Sequence, residues 1–229
     1  MLEDIGTPGS LFARLRAAAA PSWERYTRHA FVHGLGDGTL PPASFRHYLV
    51  QDYLFLIHFA RAYALAAFKS DTLADLRAAG RSMSAILDLE MGLHVKYCAA
   101  WGVDEAAMAA TPEASATLAY TRFVLERGTA GDVLDLHVAL APCIIGYAEI
   151  AAWLSDNPAT RLDGNPYRDW IAMYAAPEYR DVARAQVALL DRLGASRGAE
   201  ARFGDLVRTF DAACRLEADF WEMGWRCLD

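Results

Sequence analysis

The sequence lacks the short motifs that mark many common enzyme chemistries. Its 229 residues contain no Walker loop, no GxGxxG, no GxSxG and no HExxH. It has only four cysteines, none in CxxC spacing, which removes the usual patterns of a zinc site or a redox dithiol. We therefore expect reduced thiols in a cytoplasmic protein that uses no metal and no cofactor. The cysteines are Cys98, Cys143, Cys214 and Cys227.

Positive charge is also scarce. The chain has 22 Lys and Arg against 29 Asp and Glu, a net charge of −7. Without a basic face, direct binding of nucleic acid is not expected. The N-terminal MLEDIGTPGS lacks the charged-then-apolar form of a signal peptide. The longest apolar stretch, Val138 to Ala148, is far shorter than the ~20 residues of a membrane span, so no membrane partner is expected.

Strand signals are missing as well, since β-branched runs are few and no segment alternates with period two. Helical periodicity instead recurs along the chain, which predicts one all-α domain over residues 1–229 with about eight helices. Residues 33–42, rich in glycine and proline, predict a turn followed by a helix start. The longer predicted helices cover Leu11–Val32 with an interruption at Pro21, Thr72–Trp101 with a weak point at Gly80, and Asp132–Leu154.

One predicted helix contains the run LAPCIIGYAEI, residues 140–150, in which a proline precedes a cysteine. Proline inside a helix costs about 3 kcal/mol or more, because it removes a backbone donor and crowds the carbonyl four residues back. Cys143 is either an inert buried thiol or a reactive one. The second interpretation expects a loosened helix beside Pro142, whose partly positive amides favour the thiolate. Tyr147, at i+4, shares the face of Cys143.

Asp52 lies on an otherwise aromatic helix face with Tyr48, Phe55 and Phe59. A carboxylate there is buried, and buried carboxylates need a partner. The partner is either an arginine such as Arg61, in a structural salt bridge, or a ligand that offers two adjacent donors, such as an aminopyrimidine.

Glu217 has Phe220 and Trp221 at i+3 and i+4, so it is placed against aromatic surface. Burial there raises the pKa of the carboxyl, which makes it an acid and base near neutrality. The alternative is a solvated helix face, because Asp219 and Glu222 are also acidic.

Glu90 and His94 are spaced i, i+4, as two metal ligands or an ordinary hydrogen-bonded pair would be. We favour the structural pair. The metal alternative corresponds to an iron-dependent oxygenase.

Several segments together resemble the TenA/thiaminase II family, in the family's order and over nearly the whole chain. The resemblance implies a heme-oxygenase-like all-α fold, a homotetramer, and hydrolysis of aminopyrimidines to hydroxymethylpyrimidine for thiamin salvage. Many members also cleave thiamin. The segments are FVHGLGDGTLPPASFRHYLVQDYLFLIHFARAYA (31–64), LDLEMGLHVKYCAAWG (87–102), LAPCIIGYAEIAAWL (140–154), NPYRDWIAMYAAPEY (165–179) and LEADFWEMGWR (216–226).

Residue by residue, the resemblance implies that Cys143 is the nucleophile, Glu217 the general acid and base, and Asp52 the carboxylate that holds the pyrimidine. Phe55 stands where many members carry a tyrosine, so a hydroxyl that would partner the pocket tyrosine Tyr120 is missing. The expected substrate is 4-amino-5-aminomethyl-2-methylpyrimidine or thiamin; a pyrimidine-binding regulator without turnover is the alternative. The other implied pocket residues are Tyr147, Tyr174 and the stacking Phe220.

Overall fold

The computed structural model describes residues 5–229, apart from the side chain at position 89; the first four residues of the N-terminal segment lie outside it. No strand occurs in the described range, which confirms the all-α prediction. The helices are α1 Leu11–Ala18, α2 Ala20–Thr27, α3 Ala30–Asp37, α4 Pro42–Phe68, α5 Leu73–Ala85, α6 Met91–Ala99, α7 Glu105–Ala110, α8 Ser115–Ala130, α9 Val133–Asp156, α10 Arg168–Ala175, α11 Pro177–Ser196 and α12 Phe203–Arg226.

The described residues form more helices than the number predicted, because the first predicted helix is three short ones. The break between α1 and α2 lies at Ala19, and Pro21 occupies the first turn of α2, where its missing donor does no harm. His29 begins α3 by accepting a hydrogen bond from the amide of Phe31. The turn predicted over residues 33–42 starts too early, since α3 continues until Gly38 ends it with a φ of 78°.

The weak point predicted at Gly80 is wrong. Helix α5 passes through that residue, and the irregularity comes later, as a π-helical turn over Ile86–Glu90. There the amide of Met91 bonds to the carbonyl of Ile86, five residues back. A π turn inserts one extra residue and rotates the helix that follows. The turn therefore decides which face of α6 meets the core.

Helix α9 lies at the centre of the fold, in contact with α2, α4, α8, α10, α11 and α12. Its length and composition would allow it to cross a membrane, and it is longer than the apolar stretch seen in the sequence. Within its most apolar window 78% of the residues are buried inside the protein, which identifies a core helix. Pro142 lies inside α9 without ending it, and the hydroxyl of Tyr26 donates to the Pro142 carbonyl at 3.3 Å.

Tyr26 also fixes the distance between α2 and α9, because its ring lies directly on Gly146. A Cβ at Gly146 would lie 2.3 Å from Cε1 and 2.7 Å from the hydroxyl of Tyr26. The other face of the Tyr26 ring stacks on Trp221 of α12, with centroids 6.4 Å apart. Only glycine fits at position 146, one turn after Cys143.

We expect Gly146→Ala to lower the free energy of unfolding by about 1–3 kcal/mol, because the added methyl overlaps a fully buried ring. Gly80→Ala is the matched control: a Cβ at Gly80 meets nothing within 4 Å, so the change should stabilise the protein by up to about 1 kcal/mol. Urea denaturation of both variants measures the difference. Equal effects at the two positions would show that Gly146 is not in close contact with Tyr26.

Candidate active site

The aromatic face predicted on α4 is buried, and Asp52 lies within it. The Asp52 carboxylate is bound by His94, whose Nε2 lies 2.6 Å from Oδ2, and by the hydroxyl of Tyr48, which donates to Oδ2 at 3.1 Å. Arg61, the arginine considered as a structural partner, instead contacts His58. One oxygen of Asp52 thus receives both protein contacts, and Oδ1 has neither.

The protonation of the His94–Asp52 pair can be deduced from the contact that the other imidazole nitrogen makes. Nδ1 of His94 lies 2.8 Å from the carbonyl of Glu90, and a carbonyl only accepts, so Nδ1 carries a proton. A second proton must then lie between Nε2 and the Asp52 carboxylate. Burial opposes the charged imidazole, but the hydrogen bond and the charge of Asp52 outweigh it and raise the pKa of His94. The pair is therefore imidazolium and carboxylate.

The side chains of Glu90 and His94 do not bond to each other, which corrects the predicted pairing. His94 uses the backbone of Glu90, whereas the Glu90 carboxylate accepts a hydrogen bond from the Tyr174 hydroxyl at 3.0 Å. Burial and the charge of Asp52 raise the pKa of Glu90, against the opposing effects of His94 and Tyr174. The i, i+4 spacing failed as a guide because Glu90 ends the π turn.

Glu217 is buried on the inner face of α12 and accepts a hydrogen bond from the Tyr120 hydroxyl at 2.8 Å. Burial raises the pKa of Glu217 to about 8, with the charge of Asp52 acting in the same direction. The alternative of a solvated face applies only to its neighbours. Asp219 is exposed and pairs with Arg25 at 2.7 Å.

Cys143 is close enough to Glu217 for a hydrogen bond between the thiol and the carboxyl to affect both pKa values. The pKa of the thiol is raised well above its ordinary value by burial and by the charges of Glu217, Glu90 and Asp52. The expectation that helix amides favour the thiolate is therefore wrong for the free protein, because neighbouring carboxylates outweigh them. The Cys143 side chain remains partly exposed, so a small molecule can reach it.

Aromatic rings join these polar groups into one site. The Phe55 ring lies 5.0 Å from that of Tyr120 and 5.7 Å from that of Phe220. On the other side, the rings of Tyr147 and Tyr174 lie 4.9 Å apart. Every residue that the sequence assigned to the site is thus linked to the same group of side chains. The hydroxyl of Tyr120, which has no tyrosine partner at position 55, bonds to Glu217 instead.

The sequence did not assign Tyr48, Glu90 or His94 to the site. Tyr48 had a signal, since it lies one turn before Asp52 on the same stripe. Its hydroxyl is 3.1 Å from Asp52 and 3.4 Å from the Tyr147 hydroxyl, so it joins α4 to α9. His94 comes from a different helix, and no spacing in the sequence relates it to Asp52.

The donor set does not favour the iron-dependent oxygenase. Within residues 5–229, no group of three or more His, Cys, Asp and Glu side chains is arranged to hold a metal ion. Both ring nitrogens of His94 already have partners, Glu90 and Asp52. The site is instead a thiol beside several carboxyl groups, enclosed by aromatic rings.

The fold and the site define an all-α protein with a thiol and several carboxyl groups in one aromatic-lined site. Comparison with known proteins identifies its family. The chain belongs to the TENA/THI-4/PQQC family, whose model matches residues 16–227. It is 34% identical over 216 residues to the aminopyrimidine aminohydrolase of Halalkalibacterium halodurans, covering 94% of this chain and 96% of that protein.

Comparison with solved structures supports the same assignment. The crystal structure of a TenA family transcription regulator from a Silicibacter species is 46% identical, with a TM-score of 0.89 over 98% of this chain and 99% of that chain. A Shewanella denitrificans domain with a heme oxygenase-like fold matches at 16% identity and a TM-score of 0.73, covering 94% of this chain and 92% of that chain. That likeness concerns the fold alone, and it confirms the predicted heme-oxygenase-like architecture.

The pKa values of two buried histidines are shifted in opposite directions, and this difference can be tested. The pKa of His94 is raised, whereas burial lowers that of His137 to about 4. At pH 6.5, the ordinary value, we expect nitrogen NMR to show an imidazolium at His94 and a neutral ring at His137. The stability that the raised pKa of His94 contributes is complete below pH 6.5 and is lost as the pH rises through its folded-state pKa. A neutral His94 at pH 6.5 would contradict the proton assignment.

Proposed function

We propose that the protein is a hydrolase of thiamin salvage. It converts 4-amino-5-aminomethyl-2-methylpyrimidine and water to 4-amino-5-hydroxymethyl-2-methylpyrimidine and ammonia, with thiamin as a further candidate substrate. One observation supports this most: the thiol of Cys143 and the carboxyls of Asp52 and Glu217, from distant parts of the sequence, interact in one aromatic-lined site. The aminohydrolase name of the Halalkalibacterium relative supports the same reaction.

Asp52 is the group that would hold the pyrimidine. An aminopyrimidine offers an exocyclic amine next to a ring nitrogen, and a fixed carboxylate binds such an edge through adjacent hydrogen bonds. His94 and Tyr48 both bind Oδ2, which fixes the orientation of the Asp52 carboxylate and keeps Oδ1 for the ligand. Preorganisation of this kind spares the ligand the cost of ordering the site.

Cys143 and Glu217 would perform the chemistry. The Cys143 sulfur bonds to the pyrimidine ring as its proton passes to the Glu217 carboxylate. The bond between the exocyclic methylene and the protonated amine then breaks, and the nitrogen leaves as ammonia. Water forms the new C–O bond and gives its proton to the ammonia, and the sulfur leaves the ring and takes its own proton back from Glu217. Covalent addition replaces one difficult displacement by easier steps. The pKa of Glu217, about 8, suits it to exchange protons with a thiol.

Rings on both sides of the site suit a flat heterocycle. Phe55 and Phe220 offer apolar faces for stacking, while Tyr120 and Tyr147 offer hydroxyls for hydrogen bonding. Aromatic walls also keep the local dielectric low, which strengthens the polar contacts of a bound ligand. The Tyr174 hydroxyl donates a hydrogen bond to the Glu90 carboxylate beside these rings.

A pyrimidine-binding regulator is the second candidate function. It is favoured by the description of the Silicibacter relative as a transcription regulator. A net charge of −7 opposes direct contact with DNA, so regulation would act through a protein partner. Further predictions carried from the sequence are one domain over residues 1–229, a cytoplasmic location, a homotetramer, and catalysis without metal or cofactor.

Product analysis tests the enzyme function. Wild-type protein, incubated separately with the aminomethylpyrimidine and with thiamin, should release hydroxymethylpyrimidine from at least the first. Cys143→Ser should abolish turnover, because a hydroxyl is a much weaker nucleophile than a thiol, and should leave the circular dichroism spectrum unchanged. Cys98→Ser, which alters a buried thiol on α6, is the matched control. Binding without turnover by the wild type would favour the regulator, and full activity in Cys143→Ser would refute the nucleophile.

The pH profile tests the role of Glu217. Below pH 8 its carboxyl is protonated and does not accept the thiol proton, so kcat/KM should rise with pH towards about 8. Glu217→Gln should lower kcat by ~10²–10⁴ and remove this limb of the profile. Asp219→Asn, which removes an exposed acid of the same helix, should leave both unchanged. An identical profile in Glu217→Gln would exclude this residue as the proton carrier.

A further inference from the structure

One partly buried acid of the site has no part in the proposed chemistry. Glu90 ends the π turn between α5 and α6, and its carboxylate accepts a hydrogen bond from Tyr174 at 3.0 Å. Desolvation opposes a charge there, as its raised pKa shows. Isolated π turns are rare and frequently occur at functional sites. A costly carboxyl on an irregular turn calls for a ligand or a structural partner, and a single tyrosine hydroxyl is a weak one.

Glu90 lies at the same site as Cys143. The ring of Tyr174 is 4.9 Å from that of Tyr147, which follows Cys143 by one turn of α9. The negative charge of Glu90 is one of the causes that raise the pKa of the Cys143 thiol. Both side chains are partly exposed, so neither is closed to a small molecule.

The site has more acid than base. Among the described residues, His94 is the one basic side chain that contacts the Asp52 carboxylate or that acts on the charges of Glu90 and Glu217, and it is already paired with Asp52. The His94–Asp52 pair has no net charge, and Glu217 is protonated below its pKa of about 8. A negative charge at Glu90 therefore has no protein cation among these contacts to balance it. A ligand that brings a positive charge would supply what the protein omits.

We propose that Glu90 is a substrate-binding residue that recognises a cationic group on the exocyclic methylene of the pyrimidine. This inference rests on the proposed function. The aminomethyl group is a primary aliphatic amine, protonated near neutrality as lysine is, and thiamin carries a thiazolium at the same carbon. The hydroxymethyl product is neutral. Glu90 therefore distinguishes substrate from product by charge.

The same contact couples binding to reactivity. Carboxylates near Cys143 hold the thiol protonated in the free protein. A cation beside Glu90 cancels part of that repulsion, because opposite charges a few ångströms apart interact strongly in a poorly solvated site. The thiolate then becomes accessible when the cationic substrate is bound. In the absence of substrate, the thiol is protected from adventitious reaction.

The test compares a charged and a neutral ligand in Glu90→Gln, which keeps the shape of the side chain and removes its charge. We expect the KM of the aminomethylpyrimidine to rise about tenfold or more, the loss of one charge-assisted contact. The inhibition constant of the neutral hydroxymethylpyrimidine should change by less than about twofold, because it does not depend on charge at Glu90. Asp88→Asn, an exposed acid of the same π turn, is the matched control and should alter neither value.

If Glu90 had only a structural role, Glu90→Gln would raise the KM of the charged substrate and the inhibition constant of the neutral product by the same factor. An unchanged ratio of these two constants would overturn the proposal. Glu90→Asp keeps the charge and should restore part of the selectivity. If Glu90→Gln does not fold, Glu90→Met carries the same expectation. If the wild type binds both compounds without turnover, the proposed function fails. Calorimetric dissociation constants for the charged and neutral ligands then decide the role of Glu90 by the same ratio.

Discussion

Burial of the Asp52 carboxylate among aromatic rings is the constraint on which the site depends. A carboxylate removed from water is stable only when other groups replace its hydration. His94 and Tyr48 do so at a single oxygen, with distances of 2.6 and 3.1 Å. Because His94 is held in turn by the backbone of the π turn, the position of Asp52 depends on α4, α6 and the turn together. Loss of any of these would leave a buried charge without a partner.

The Glu217 carboxyl has a different hydrogen-bond partner from the Asp52 carboxylate. Its single strong contact is the hydroxyl of Tyr120 at 2.8 Å, a neutral donor that stabilises a charge less than an imidazolium does. Burial raises the pKa of Glu217 to about 8, because a neutral donor offsets only part of the lost hydration. The two carboxyls of the site thus have different partners, and Glu217 is protonated at neutral pH. One is suited to grip a ligand and the other to move a proton.

Helix α9, which carries Cys143, is held by Tyr26 on both sides of the thiol. Tyr26 lies on Gly146 and donates to the Pro142 carbonyl, so one side chain bridges both irregular positions around the thiol. Pro142 removes the helical donor to the Val138 carbonyl, and the packing of other helices against α9 keeps the segment helical despite that cost. The position of the sulfur therefore depends on α2 and α12, which flank it, as much as on α9 itself.

Amphipathic periodicity was sufficient to predict the all-α class, the length of α9 and the buried stripe of α4, since these follow from local spacing along one helix. The resemblance to a family added Cys143, Asp52 and Glu217 as a group, and the structure places their side chains at one site. Glycine and proline positions were a less reliable guide to where helices are interrupted. Gly80 lies in a regular helix, while the irregular turn over Ile86–Glu90 contains no glycine or proline. A π turn is stabilised by the packing of the helices around it, which no local pattern records.

Residue types and their spacing along each helix specified which side chains could be buried and which chemistry they carry. The packing of the helices assigned each acid its partner: His94 binds Asp52, Tyr120 binds Glu217, and Tyr174 binds Glu90. It also decided that Cys143 is a protonated thiol in the free protein, against the expectation from its own helix. The reason is physical. The pKa of a group depends on its distance to charges on other helices and on its access to water, and both are properties of the packed chain.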